Sequence, residues 1–287
     1  MNLRGRHFVW GDRTYLMGVL NVTPDSFSDG GKFNTLETAL AHAQYLVDAG
    51  ADIIDIGGQS TRPGAEELSL EEELNRVLPI LQALRPHTQV PISVDTTRAS
   101  VARAAVEAGA DMVNDISGGI FDPDMLSVVA QLQVPIVLMH MRGTPQTMQQ
   151  MTEYSQLIGE IYEFLESRIA AAIAAGVDKA NIIIDPGIGF AKTYQQNLEL
   201  LRSLPEFRSL GCSLLVGSSR KSFIGHILNQ PNPEARVWGT AATCCAAIAG
   251  SADILRVHDV KEMRDVCRVA DAIWRQQGLS SQVRMNP

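Results

Sequence analysis

Short apolar runs rich in β-branched residues alternate with longer amphipathic stretches along almost the whole chain. Runs at about 15–20 (YLMGVL), 52–56 (DIIDI), 91–95 (PISVD) and 111–115 (DMVND) read as strands. So do those at about 135–140 (PIVLMH), 181–185 (NIIID), 213–217 (SLLVG) and 253–257 (DILRV). Helical periodicity fills segments such as 36–49, 69–84, 99–108, 155–175 and 259–276. The pattern predicts eight strands, each followed by helical sequence. Runs this continuously apolar are buried on both faces, as in a parallel sheet.

A weak repeat reinforces the count. Ala-Gly followed closely by a strand-opening Asp occurs at Ala49-Gly50-Ala51-Asp52, Ala108-Gly109-Ala110-Asp111, Ala175-Gly176-Val177-Asp178 and Ala249-Gly250-Ser251-Ala252-Asp253. Gly suits the residue just past a helix, where positive φ is needed. The repeats stand about two βα units apart, before candidate strands two, four, six and eight. That rhythm favours a closed (β/α)8 barrel over an open doubly wound sheet. An open sheet also wants a glycine fingerprint after strand one, where Asn21-Val22-Thr23-Pro24 stands instead. The stretches His7–Trp10 and Arg13–Leu16 flank Gly11-Asp12, which predicts a short β-hairpin across the barrel bottom. One domain spans 1–287, with its core at about 14–276; no linker or second domain interrupts it.

Composition adds exclusions. At 45% hydrophobic and 20% charged, the chain is ordinary for a globular protein. A net charge of −8 gives no bulk field to attract nucleic acid or an anionic membrane, so an anionic ligand needs a local basic cluster. Neither a signal peptide nor a membrane span is expected, and a cytoplasmic location is. Cys212, Cys244, Cys245 and Cys267 lack metal-site spacing and are expected to be buried thiols.

Barrel enzymes carry their chemistry at the C-terminal ends of the strands. Here those ends are Asn21, Asp55, Asp95, Asn114-Asp115, His140 and Asp185, then Ser218-Ser219-Arg220-Lys221, then Arg256 and His258. Asp and Asn also end strands and cap helices. That reading suffices for Asp52, Asp111 and Asp178 at the opposite ends; it does not explain polar groups converging from all eight strands. Loops 21–31 and 57–65 combine Gly and Pro hinges with hydroxyls and charge, as mobile lids do.

The runs MGVLNVTPDSFSDGG (17–31) and DIGGQSTRPGA (55–65) resemble the dihydropteroate synthase family. SVDT (93–96), NDISG (114–118), DPGIGF (185–190), GSSRKSF (217–223) and RVHDV (256–260) match the same family in order. The resemblance implies a (β/α)8 barrel, usually a homodimer. It implies a transferase that joins 6-hydroxymethyl-7,8-dihydropterin diphosphate to para-aminobenzoate, with Mg2+, giving 7,8-dihydropteroate and diphosphate.

The residue chemistry is compatible with that implication. A pterin presents a guanidine-like 2-amino and N3–H pair, for which a buried carboxylate, Asp185, is a natural partner. Asp95, Asn114 and Lys221 can meet other edge groups, and Ile116, Met139, Phe190 and Gly217 can form the walls. Ser60, Thr61, Arg62, Arg256 and His258 suit the diphosphate, with Arg offering a bidentate fork. Asn21 offers a neutral oxygen to Mg2+, which takes few protein ligands when phosphate oxygens complete its octahedron. Phe27, Thr61, Pro63, Phe190, Ser219, Lys221 and Ser222 would form the aminobenzoate slot. Asp95, Asp185, Lys221 and Arg256 are the candidate catalytic residues, and no covalent nucleophile is required. Alanine at 256 is expected to reduce turnover far more than it disturbs folding. His140 is expected to be structural, and Arg220 to point outward.

Two positions depart from the family pattern: Gln59 stands where Glu is common, and Ala191 where Gly is. A pterin-binding methyltransferase would share Asp95, Asn114 and Asp185, yet has little use for Ser60–Gly64 or the Arg256/His258 pair. A degenerate binding module would not be expected to keep Asn21, Arg62, Lys221 and Arg256 all intact.

Overall fold

The computed structural model describes residues 1–22, 35–62 and 64–275. Two short strands, β1 (Asn2–Leu3) and β2 (Arg6–His7), precede β3 (Tyr15–Asn21), β4 (Ile53–Gly57), β5 (Ile92–Asp95) and β6 (Met112–Asp115). Then follow β7 (Ile136–Met139), β8 (Ile182–Asp185), β9 (Ser213–Val216) and β10 (Ile254–Val257). Strands β3 to β10 pair in parallel, in chain order, and β10 closes on β3. The expected (β/α)8 barrel is present, its strand ends within one residue of those read from the pattern. Helices α1 (Thr35–Ala49), α2 (Leu70–Leu84), α3 (Ala99–Glu107), α4 (Met125–Leu132), α5 (Leu157–Ala174) and α6 (Tyr194–Arg202) follow successive strands. Two helices, α7 (Ser222–Ile227) and α8 (Val237–Ala249), separate β9 from β10, and α9 (Val260–Trp274) completes the ring.

The two-residue period of a strand decides what faces the barrel interior. Ile53, Met112, Val137, Ile183, Leu215 and Ile254 form one inward apolar layer with Met17, capped from below by Leu3, Phe8 and Tyr15. Each such fully buried side chain contributes roughly 1.5–3 kcal/mol. The intervening residues, such as Ile54, Val113, Leu138 and Ile184, pack outward under the helices. Two residues further on, the same inward positions are Asp55, Asn114, Met139, Asp185, Gly217 and Arg256. The site layer is therefore the register of the apolar layer carried one step up the barrel.

The repeated Asp residues gain a physical explanation. Oδ2 of Asp52 accepts the Leu16 N–H at 2.9 Å, that of Asp111 the Ile92 N–H at 2.8 Å, and that of Asp253 the Leu214 N–H at 3.0 Å. Each carboxylate thus satisfies the open amide near the start of the preceding strand. Asp178 departs, accepting from Ala180 N–H in its own turn. Gly50, Gly109 and Gly176 have φ of 99°, 112° and 101°, as the repeat predicts, but in the fourth copy Ser251 takes the left-handed conformation (φ 70°).

The hairpin lies earlier than expected. β1 pairs with β2 around Arg4-Gly5, whose φ values of 50° and 73° suit a tight two-residue turn. Gly11-Asp12 turns the chain without joining paired strands, and the Gly11 N–H donates to Asp253 at 3.0 Å. All four cysteines are free thiols, but Cys245 is exposed and Cys212 half-buried, so only Cys244 and Cys267 meet the expectation of burial. Among the described residues, no helix is long and apolar enough to cross a membrane.

Candidate active site

Four polar side chains from four strands meet inside the barrel at its C-terminal end. Arg256 donates from Nε to Asp55 at 2.7 Å and from Nη2 to Asp95 at 2.8 Å. Asn114 Nδ2 donates to the same Asp55 oxygen at 3.0 Å. Asp55 is 0% exposed. Burial pushes Asp95 up to about 7, against the pull of Arg256 and helped by repulsion from Asp55. Arg256, expected beside a diphosphate, is thus tied to the acids of the barrel interior.

Asp185, at the end of β8, is also buried. Its Oδ1 accepts the Gly187 N–H at 2.7 Å, yet burial still raises it to about 6. Ile116, Met139 and Phe190 fall in one small apolar cluster with Met141, Met148 and Ala191, separate from the main core. The three residues expected to form an apolar wall are thus brought together. Lys221 stands at the N-terminus of α7 with Nζ 4.1 Å above the Phe190 ring. Burial, then Arg256, lowers it to about 8.

The glycines of 185–190 make room for protein, a role not foreseen. A Cβ on Gly187 (φ 76°) would lie 1.9 Å from the His140 carbonyl oxygen, and one on Gly189 (φ 84°) 2.9 Å from the Lys221 stem. Gly187→Ala is expected to cost about 2–4 kcal/mol, from left-handed strain plus displacement of the β7 end. A thermal melt checks this; an unchanged midpoint would mean that the close approach relaxes freely. Gly217 is different: an added Cβ would meet Arg256 at an ordinary 3.8 Å.

Beneath this loop lies a buried cation that sequence reading missed. Lys192 is 3% exposed; its Nζ donates to the Gly187 and Phe190 carbonyls, both at 2.9 Å, and to His140 Nδ1 at 3.1 Å. Burial lowers Lys192 to about 7 and His140 to about 2. His140 packs edge-on against Phe164 of α5 and serves this network, as its expected structural role requires. The available signal was a lysine within an otherwise apolar loop. Asp55 stands among the polar strand ends read from the sequence but received no role there, because its partners Arg256 and Asn114 come from strands distant in the chain.

At the mouth, Ser219 bonds His258 twice: its Oγ accepts the His258 N–H at 3.2 Å and lies 3.0 Å from Nδ1. If the hydroxyl proton faces Nδ1, Nε2 carries the ring proton. Burial, then Arg220, Arg256, Lys221 and Arg62, lowers His258 to about 3, so it is neutral at physiological pH. Ser219, expected beside aminobenzoate, thus contacts the expected diphosphate histidine. Arg220 forks onto Asp259, at 2.5 and 3.1 Å, as its outward expectation implied.

Asn21 is half-buried at the end of β3, beside Gly57 on β4. Ser60 and Thr61 are half-buried; Arg62 and Ser222 are exposed. The described part of the second loop is well tied: Gln59 Nε2 donates to the Glu66 carbonyl at 2.8 Å, and its Oε1 accepts the Leu68 N–H at 2.8 Å. A Glu carboxylate could not make the first bond. Across the mouth, the Gly64 N–H reaches the Pro145 carbonyl at 3.0 Å. Phe27 and Pro63 lie outside the described residues. Two open clefts, of about 430 and 530 Å3, lie at the opposite barrel rim and along α3–α4, away from these strand ends.

A closed parallel barrel with polar side chains gathered at the C-terminal ends of its strands has the layout of a barrel enzyme. The sequence pattern described as "Pterin binding enzyme" matches residues 17–258. Dihydropteroate synthase of Synechocystis is 64% identical over 268 residues, 93% of either chain. A dihydropteroate synthase from Clostridium difficile, solved in the presence of pteroic acid, superposes with a TM-score of 0.89 at 46% identity, covering 94% of this chain and all of its own. One from Xanthomonas albilineans, solved with 4-aminobenzoic acid, gives 0.87 at 46%, covering 92% and 94%. The chain belongs to the pterin-binding enzyme family, in its dihydropteroate synthase branch, and is a transferase.

Proposed function

We propose that the chain condenses 6-hydroxymethyl-7,8-dihydropterin diphosphate with para-aminobenzoate, giving 7,8-dihydropteroate and diphosphate by dissociative substitution. The observation that carries this reading is the buried Asp185 carboxylate beside the apolar cluster of Ile116, Met139 and Phe190 at the barrel mouth. Asp185 accepts from the 2-amino and N3–H pair of the pterin, and Lys221 donates to the 4-oxo or ring nitrogen. Asp95 and Asn114 meet the remaining edge, with Gly217 beside the ring.

Ser60, Thr61, Arg62 and His258, with Arg256 behind them, take the diphosphate. With Nδ1 accepting from the Ser219 hydroxyl, a neutral His258 carries its proton on Nε2 and donates it in a hydrogen bond without needing to titrate. Ser219 holds that ring, which moves Ser219 from the aminobenzoate group to the diphosphate group. Among the described residues, no three His, Cys, Asp or Glu side chains form a metal cage. Mg2+ needs none where phosphate oxygens and water complete its shell, so a single neutral oxygen from Asn21 fits it. When bound, Mg2+ neutralises charge on the departing diphosphate.

The acids of the interior favour positive charge developing on the electron-rich dihydropterin as the exocyclic C–O bond breaks. The aniline nitrogen then attacks the exocyclic CH2, forming the C–N bond, and releases its proton to water. Its slot is formed by Thr61, Phe190, Lys221 and Ser222, with Phe27 and Pro63 proposed from the sequence alone. Holding both partners in register lowers the barrier by roughly 7–11 kcal/mol. The test is to incubate the protein with both substrates and Mg2+ and detect dihydropteroate by mass. Tight pterin binding without product would refute the synthase reading.

The homodimer implied by the family is proposed to form on the α8–α9 face, where Trp238, Val269 and Ile273 are 78%, 63% and 65% exposed. Trp238→Glu is expected to convert dimer to monomer in sedimentation. An unchanged profile places the interface elsewhere.

A further inference from the structure

Asp55 is fully buried, and among the described residues only one of its two oxygens is engaged. Oδ2 takes both Arg256 Nε and Asn114 Nδ2, while Oδ1 has no hydrogen-bond partner among the described residues. A buried carboxylate satisfied this sparingly is poor value for stability alone. One inward step down the same strand, the barrel fills the equivalent position with Ile53. Resting on the pterin reading above, we infer that Asp55 is a positioning residue. It fixes which end of the Asn114 amide faces the ligand and holds the Arg256 guanidinium against Asp95.

Donor and acceptor polarity fixes the orientation of the amide. An ionised carboxylate only accepts, so the Asn114 group turned toward Asp55 must be the NH2. The opposite arm, Oδ1, is then presented as an acceptor, and it makes no hydrogen bond among the described residues. Without Asp55 the amide could turn over and offer a donor to the same place. With Asp95 and Asp185, Asn114 completes a wall of acceptors that suits the N–H groups of a pterin edge. The Arg256 guanidinium meanwhile offsets the mutual repulsion of Asp55, Asp95 and Asp185.

Isothermal titration with 6-hydroxymethyl-7,8-dihydropterin tests this on the wild type, Asp55→Asn, Asn114→Asp and the exchange Asp55→Asn/Asn114→Asp. Asn114→Asp sets two carboxylates face to face and is expected to weaken binding about 100-fold. The exchange restores a donor–acceptor pair of reversed polarity while keeping an acceptor toward the ligand. It should recover about tenfold over Asn114→Asp alone. A double variant weaker than either single one, its losses simply multiplying, overturns the inference and leaves Asp55 a structural acid. Melting curves accompany each titration, and Asn114→Asp against the exchange decides the matter even if Asp55→Asn folds poorly. A wild type that does not bind the dihydropterin overturns the pterin reading, and this inference with it.

Discussion

Arg256→Ala is expected to lower folding stability by about 3–5 kcal/mol as well as to abolish turnover. This departs from what the sequence suggests, because an arginine serving only a ligand can be removed at little cost to the fold. The structure buries its two partners: the side chains of Asp55 and Asp95 are 0% and 7% exposed, and Arg256 itself 21%. Removing one member of a buried ionic set leaves an uncompensated charge, which costs far more than the set contributes. For a chain of this size the loss corresponds to a drop of roughly 10 °C in melting temperature.

The pH dependence gives the change its signature. Asp95 already titrates at about 7 in the folded chain, well above its unfolded value, and Arg256 is what holds it down. Without the guanidinium it rises further. A carboxyl with a raised folded pKa stabilises fully below its unfolded pKa, and that stability is lost as pH climbs through the folded one. The deficit of Arg256→Ala should therefore be larger at pH 8 than at pH 6. An unshifted melt at both values would show that Arg256 is not needed to hold these acids.

The barrel was legible because its signal is redundant. Eight apolar runs of five or six residues, each with a helix behind it, admit few closures, and the Ala-Gly-Asp rhythm marks every second one. The hairpin was misplaced because Gly11-Asp12 looks more like a tight turn than Arg4-Gly5 does; the true turn puts a non-glycine residue at φ 50°. In the site, what depended on residue type was readable: Asp185, Lys221 and the trio Ile116, Met139 and Phe190 converge in space. What depended on register was not. Asp55 and Asp115 both sit at strand ends, yet one points inward to Arg256 and the other binds its own loop through Ser117 and Gly119. A one-residue step exchanges these fates, and the sequence alone does not reveal it. Lys192 was hidden for a related reason, since its partners are two backbone carbonyls and a histidine just past the end of β7.

Asp185→Asn should move stability and function in opposite directions. In the folded chain burial holds Asp185 at about 6, so ionising it there at neutral pH costs about 2–3 kcal/mol relative to the unfolded chain. The sign follows: its folded pKa lies above the unfolded one, so stability falls as pH rises from about 4 through 6. A neutral amide keeps an acceptor for the Gly187 N–H and avoids that cost. The variant should therefore melt higher than the wild type at pH 7.5, with the difference shrinking toward pH 5. Pterin binding goes the other way. The proposed paired bonds to the 2-amino and N3–H groups need the carboxylate, and losing their charge assistance should weaken affinity about 100-fold. In the wild type the same requirement makes affinity fall about tenfold per pH unit below 6, whereas the variant should show no such slope. A variant that melts lower yet still binds with the wild-type pH profile would show that another group receives the pterin. The acid that costs the barrel stability would then have to earn its place some other way.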